Sequence, residues 1–133
     1  MNIIVCLDDK RGMLFNKRRQ SRDGNVIKDI EEITKELWIS PFSESLFSDA
    51  SGKIKSDKDY LKKARKSEFC FVEADSVLPY IEKLEQIIVY QWNKHYPADF
   101  KFDVPLEHWK LVDQKEFVGT SHEKITREIY VKG

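Results

Sequence analysis

The stretch IIVCL at residues 3–7, running into DDKRGMLFNKRRQSRD at 8–23, decides how the rest of the chain is read. Five consecutive apolar residues, three of them β-branched, suit a strand buried on both faces, and such strands lie centrally in α/β sheets. The loop that follows leaves the carboxyl end of that strand. Open α/β sheets bind ligands there, so any chemistry is expected to begin in this loop.

The bulk properties are those of a folded domain. At 133 residues the chain fits a single domain, 1–133, around one core. Lys+Arg and Asp+Glu balance at 23 each, so the net charge supplies no global attraction to nucleic acid or membrane; only a local patch can do so. Cys6 and Cys70 sit inside apolar runs and read as free, buried thiols. The amino-terminal apolar run lacks a basic leader and meets Asp8 and Asp9, and no stretch approaches the ~20 apolar residues of a membrane span, so the expected location is cytoplasmic.

Outward from the first strand, Val26, Ile27, Ile30 and Ile33 form one apolar stripe on a helix over about Asn25 to Thr34. Leu37 to Ile39 reads as a short strand ended by Pro41, and Ser43 to Phe47 as one helical turn capped by Ser43. Ser48 to Asp57 reads as a surface loop with a brief strand at Lys53 to Lys55, and Asp57 caps an expected helix running to about Lys66. Glu68 to Glu73 and Gln86 to Trp92 are buried strands flanking an expected helix over Ser76 to Leu84. Trp109 to about Phe117 and Lys124 to Lys132 form a hairpin around a turn at Gly119 to His122. This order implies an α/β fold with a mostly parallel central sheet flanked by helices and an antiparallel carboxyl-terminal hairpin.

The order of elements resembles the dihydrofolate reductase fold. The residues that carry the likeness are the strand Ile3 to Leu7, Gly12 in the following loop, the helix ending at Thr34, the strand at Trp38 and Ile39, the segment YPADFKFDVPLEHW from Tyr96 to Trp109, and the ending at Ser121 and His122. The resemblance implies a catalytic carboxylate on the first helix and NADPH as cofactor, and this sequence departs from both. Eight positions before Thr34 stands Val26, flanked by Asp23 and Asp29, the two candidate catalytic acids. Where the family has a Gly-Gly pair that admits the cofactor pyrophosphate, this chain reads Val72, Glu73, Ala74 and Asp75. NADPH is therefore disfavoured, and no cofactor is assigned. A further similarity, to a small bacterial family some of whose members carry a ribonuclease Z label, has no residue behind it: His95, His108 and His122 do not make the His-x-His-x-Asp-His cluster that holds paired zinc ions.

The expected function is a binding or interaction module for a protein or a nucleotide-like ligand. One alternative is a pterin- or nucleotide-acting enzyme of altered chemistry with Asp23 or Asp29 as proton donor. Another is RNA binding or processing by the loop 10–22, where Lys10, Arg11, Lys17, Arg18, Arg19 and Arg22 put six cations within thirteen residues. The candidate ligand-binding residues are Lys17, Arg18, Arg19, Arg22, Trp38, Glu73 and Asp75. Glu73 and Asp75 read either as a remodelled site preferring a cation or amine, or as caps of the next helix, with Asp75 at the N-cap. The histidines read better as surface residues than as acid–base groups, and no metal site is expected.

Overall fold

The computed structural model describes residues 1–47 and 53–133. Its strands are β1 (Asn2–Leu7), β2 (Gly12–Phe15), β3 (Arg18–Arg19), β4 (Leu37–Ile39), β5 (Ile54–Ser56), β6 (Phe69–Phe71), β7 (Gln86–Gln91), β8 (Phe100–Lys101), β9 (Trp109–Phe117) and β10 (Ile125–Lys132). The α-helices are α1 (Gly24–Ile33) and α2 (Tyr60–Lys63). Seven strands form one sheet in the order β5-β4-β6-β1-β7-β10-β9, parallel from β5 to β7 and antiparallel from β7 to β9.

β1 lies at the centre of this sheet, paired in parallel with β6 and β7. Its alternation divides the core: Ile3, Val5 and Leu7 pack with Tyr60 and Val89 on one face, and Ile4 packs with Val26, Ile30 and Tyr90 on the other. Both faces of the strand are covered, which is why its sequence is continuously apolar rather than alternating. α1 covers the second face, and Asp23 is its N-cap, accepting the Asn25 amide at 2.9 Å.

Three expectations are corrected. The basic loop 8–23 is partly structured: β2 and β3 form a hairpin, and β2 pairs with β8 in a second, three-stranded sheet. The two hairpin-turn residues, Asn16 and Lys17, have φ of 52° and 61°, the geometry of a type I′ turn made without glycine. The helix expected from Asp57 to Lys66 lasts one turn, Tyr60–Lys63. In place of a helix over Ser76 to Leu84 there is a 3-10 turn, Leu78–Lys83, with bonds from Tyr80 N to the Val77 carbonyl and from Leu84 N to the Ile81 carbonyl. Pro79 brings no N–H, and the Val77 and Leu78 amides are drawn to the Asp103 carboxylate instead. Asp103 thus does the capping that one of the two readings gave to Asp75.

The turn at Ser43 to Phe47 is a 3-10 turn over Pro41–Leu46, and the brief strand expected at Lys53 to Lys55 is β5. Residues 48–52 of the loop expected at 48–57 lie outside the described residues. Among the described residues no helix is long and apolar enough to cross a membrane.

Candidate functional site

The carboxyl ends of β1 and β6 and the start of α1 meet in a crevice walled by Cys6, Arg19, Ser21, Val72, Glu73 and Trp92. This is where the sheet topology directs a ligand. The free space within it is only 20 Å³, room on the order of one water molecule.

Arg19 accounts for that closure. From β3 its guanidinium meets the Glu73 carboxylate in a two-point pair, Nε to Oε2 at 2.9 Å and the second terminal nitrogen to Oε1 at 3.0 Å. The same terminal nitrogen donates to the Phe42 carbonyl at 3.1 Å, and the other to Ser45 Oγ at 3.4 Å. The guanidinium carbon lies 5.1 Å from the centroid of the Phe42 ring. Ser43, itself fully buried, donates its hydroxyl to Glu73 Oε1 at 2.7 Å. The hydrogen bond to Glu73 raises the Arg19 pKa against the opposing effect of burial, so the guanidinium keeps its charge beside the carboxylate.

Two buried carboxylates hold the loop that carries Arg19. Asp8, directly after β1, accepts the amides of Lys10 at 2.8 Å and Gly12 at 2.7 Å, and the Gln20 side-chain amide at 2.9 Å. Burial works to raise the Asp8 pKa, but these donors outweigh it and the group stays below the usual carboxylate range. Gly12 has no room for a side chain: a Cβ there would stand 2.5 Å from that of Ala98 and 2.6 Å from Asp8 Oδ2. The Gln20 carbonyl oxygen, on a crevice-lining residue, is buried without a hydrogen-bond partner among the described residues.

Asp23 anchors the other side. Its Oδ1 accepts the amides of Asn25 and Thr120, both at 2.9 Å, and its Oδ2 accepts the Ser121 amide at 2.9 Å and His122 Nδ1 at 3.0 Å. Burial again opposes, yet the His122 ring and the three amides hold Asp23 well below the ordinary range. With the carboxylate as acceptor, a neutral His122 carries its proton on Nδ1 and leaves the single lone pair of Nε2 facing two hydroxyls, Tyr96 OH at 2.9 Å and Ser21 Oγ at 3.2 Å. The imidazole is stacked on Trp92, with centroids 4.6 Å apart and planes 18° from parallel. The order Ser21, His122, Asp23 is that of a nucleophile, a base and an orienting carboxylate, each within hydrogen-bond reach of the next.

The candidate residues separate under this geometry. Glu73, Arg19, Asp23 and Arg22 come together at the crevice. Lys17 and Arg18 are exposed on the β2–β3 hairpin. Arg11 is turned inward, donating to the Phe102 carbonyl at 3.0 Å, so two of the six loop cations, Arg11 and Arg19, are engaged by the protein itself. Asp29 faces the sheet from α1, where it accepts Tyr90 OH at 2.6 Å and Arg127 at 2.8 Å. Asp75 accepts Tyr60 OH at 2.7 Å. Trp38 lies away from the crevice, with Nε1 3.3 Å from Glu68 and Lys55 over its ring.

Ser21 and Tyr96 meet at His122, which is buried and not the surface residue expected of it. His122 is ninety-nine residues from Asp23, and only the fold joins them. His95 and His108 are exposed, and no group of three or more His, Cys, Asp or Glu side chains is placed to hold a metal ion among the described residues.

The architecture that carries this crevice is dihydrofolate reductase-like. Among solved structures the chain is similar to dihydrofolate reductase from Enterococcus faecalis complexed with NADP(H) and RAB-propyl. The TM-score is 0.67, over 99% of this chain and 95% of that one, at 14% sequence identity. At that identity the likeness is one of fold. No family model matches the sequence, and no curated protein matches it.

Proposed function

We propose that the chain is a ligand-binding module built on a dihydrofolate reductase-like fold, and that it does not use NADPH. The observation that carries this reading is the Arg19–Glu73 pair at the carboxyl end of β6. A carboxylate there repels a pyrophosphate, and a guanidinium already fills the space beside it. Trp92 lines the crevice, so its fluorescence is the assay. Titration with NADPH and with folate analogues leaves the emission unchanged under this proposal. Saturable quenching together with NADPH-dependent reduction of dihydrofolate refutes it.

A second reading, an altered pterin- or nucleotide-acting enzyme, is favoured by the contact between His122 and Ser21. Asp23 serves here not as the proton donor but as the group that orients His122, which exchanges the proton with Ser21 at the crevice wall. This reading requires an activated Ser21. A fluorophosphonate probe labels the chain and fails to label Ser21→Ala; a wild-type chain inert to the probe counts against it. RNA binding by the basic loop draws less support, because Arg11 and Arg19 are turned inward.

A further inference from the structure

We infer that Glu73, Ser43, Phe42 and Ser45 form a receptor for a guanidinium group, that Arg19 is its resident occupant, and that a small guanidino or amidino compound displaces it. The inference rests on the reading of the crevice as a binding site and adds the class of ligand.

The receptor is assembled without help from the segment that fills it. Glu73 follows β6, and Phe42, Ser43 and Ser45 belong to the 3-10 turn Pro41–Leu46, whereas Arg19 comes from the β2–β3 hairpin. Each part matches one property of a guanidinium. The carboxylate takes two parallel N–H bonds, the Phe42 carbonyl and Ser45 hydroxyl take N–H groups that point elsewhere, and the Phe42 ring faces the cation. Ser43 fills a further lone pair of Glu73 and fixes the carboxylate's orientation before any cation arrives. A rounded ammonium uses one carboxylate oxygen well and leaves the fork unmatched, so the site prefers guanidinium to a lysine-type amine.

The occupant sits on a short strand, with Gln20 next to it anchored to Asp8 Oδ2 at 2.9 Å. β3 is two residues long and joins β2 through only Leu14↔Arg19 and Phe15↔Arg18. The intervening turn places two non-glycine residues at positive φ. Removing Arg19 from the cradle therefore disturbs a short strand at the edge of the small sheet and leaves the seven-stranded sheet intact.

The test compares full-length wild type, Arg19→Ala, and the double variant Arg19→Ala with Glu73→Gln. The probes are N-acetyl-arginine amide, its lysine analogue and its uncharged citrulline analogue, read by Trp92 fluorescence and thermal melting. Arg19→Ala binds the arginine compound at least about tenfold more tightly than wild type does, because the tethered competitor is gone. It also prefers that compound to the lysine analogue by about tenfold and ignores citrulline. The double variant binds none of them. Low-millimolar guanidinium chloride raises the melting temperature of Arg19→Ala by about 4 °C over matched sodium chloride and does nothing for the double variant. If Arg19→Ala is unfolded alone, the guanidinium ion restores its circular dichroism and sodium does not.

A folded Arg19→Ala chain that treats the three compounds alike, or an unfolded one that guanidinium fails to rescue, overturns the inference. Neither result bears on the exclusion of NADPH, which stands or falls on its own titration.

Discussion

Replacing Gly119 by alanine tests how the carboxyl-terminal hairpin is fastened to α1. An ideal Cβ on Gly119 would lie 2.2 Å from Asp23 Oδ2, 2.9 Å from its Cγ and 2.9 Å from the His122 carbonyl oxygen. The obstructing atoms are a short, buried side chain and backbone, so Asp23 must leave its place. It then loses the N-cap bond to Asn25, worth about 1 kcal/mol, together with charge-assisted bonds from Thr120, Ser121 and His122 at about 1.5 kcal/mol or more each before water recovers part of them. The net expectation is a loss of about 3 kcal/mol, a substantial share of the stability of a domain this size. Urea unfolding reads this as a midpoint lower by about 1–2 M at unchanged slope.

Gly24→Ala is the matched control. Its Cβ would meet only Thr120, at an ordinary 3.5 Å, so its effect stays within about 0.5 kcal/mol. The pH profile supplies a second signature. The folded pKa of Asp23 lies below its unfolded value near 3.9, so this group's stabilisation is complete above that value and is lost as the pH falls below it. Wild type accordingly weakens below about pH 4, and Gly119→Ala weakens less over the same range. Equal midpoints for the two alanine variants, with parallel acid profiles, would refute the account of Asp23 as the shared anchor.

Lys17→Gly, at φ of 61°, relieves a left-handed backbone and is expected to stabilise the chain by about 0.5–1 kcal/mol; a lower melting temperature contradicts the type I′ turn. Arg127→Ala leaves Asp29 buried with the Tyr90 hydroxyl as its only close donor among the described residues and a lysine 3.6 Å away, and is expected to lower stability by about 3 kcal/mol in denaturant unfolding. Burial pushes the Cys70 thiol up to about 12 and raises that of Cys6 well above its usual value. Neither thiol reacts appreciably with iodoacetamide near neutral pH until denaturant is added, and rapid labelling of the native chain runs against this.

The large sheet was legible because burial and hydrogen bonding select the same residues. β1 and β7 are continuous apolar runs, β4 falls on Leu37 to Ile39 as read, and the β9–β10 hairpin was found with its turn. The elements misread are those in which tertiary contacts outweigh local pattern. β2 and β3 run through a Lys- and Arg-rich segment whose I′ turn lacks the usual Asn-Gly signal, since Lys17 takes the glycine's place. The apolar spacing of Val77, Ile81 and Leu84 suits an α-helix, but Pro79 and Asp103 hold the segment in a tighter turn. At the site, Asp23 and Glu73 were visible as carboxylates placed where a ligand binds. Their partners were not, because Glu73 meets Arg19 across 54 positions and Asp23 meets His122 across 99. The histidines read as surface residues, yet His122 is buried, and the serine that reaches its Nε2 is Ser21, about a hundred positions away.

The Arg19–Glu73 pair also sets a tempo. Under the proposed binding role, a molecule entering the crevice would wait for the pair to part, so its observed binding rate would stop rising with concentration once it reached the rate of parting. Its apparent dissociation constant is the intrinsic one divided by the parted fraction. Salt that weakens the ion pair enlarges that fraction. An uncharged occupant of the crevice should therefore bind faster and more tightly as ionic strength rises, the reverse of what a charged ligand drawn in from solution would do.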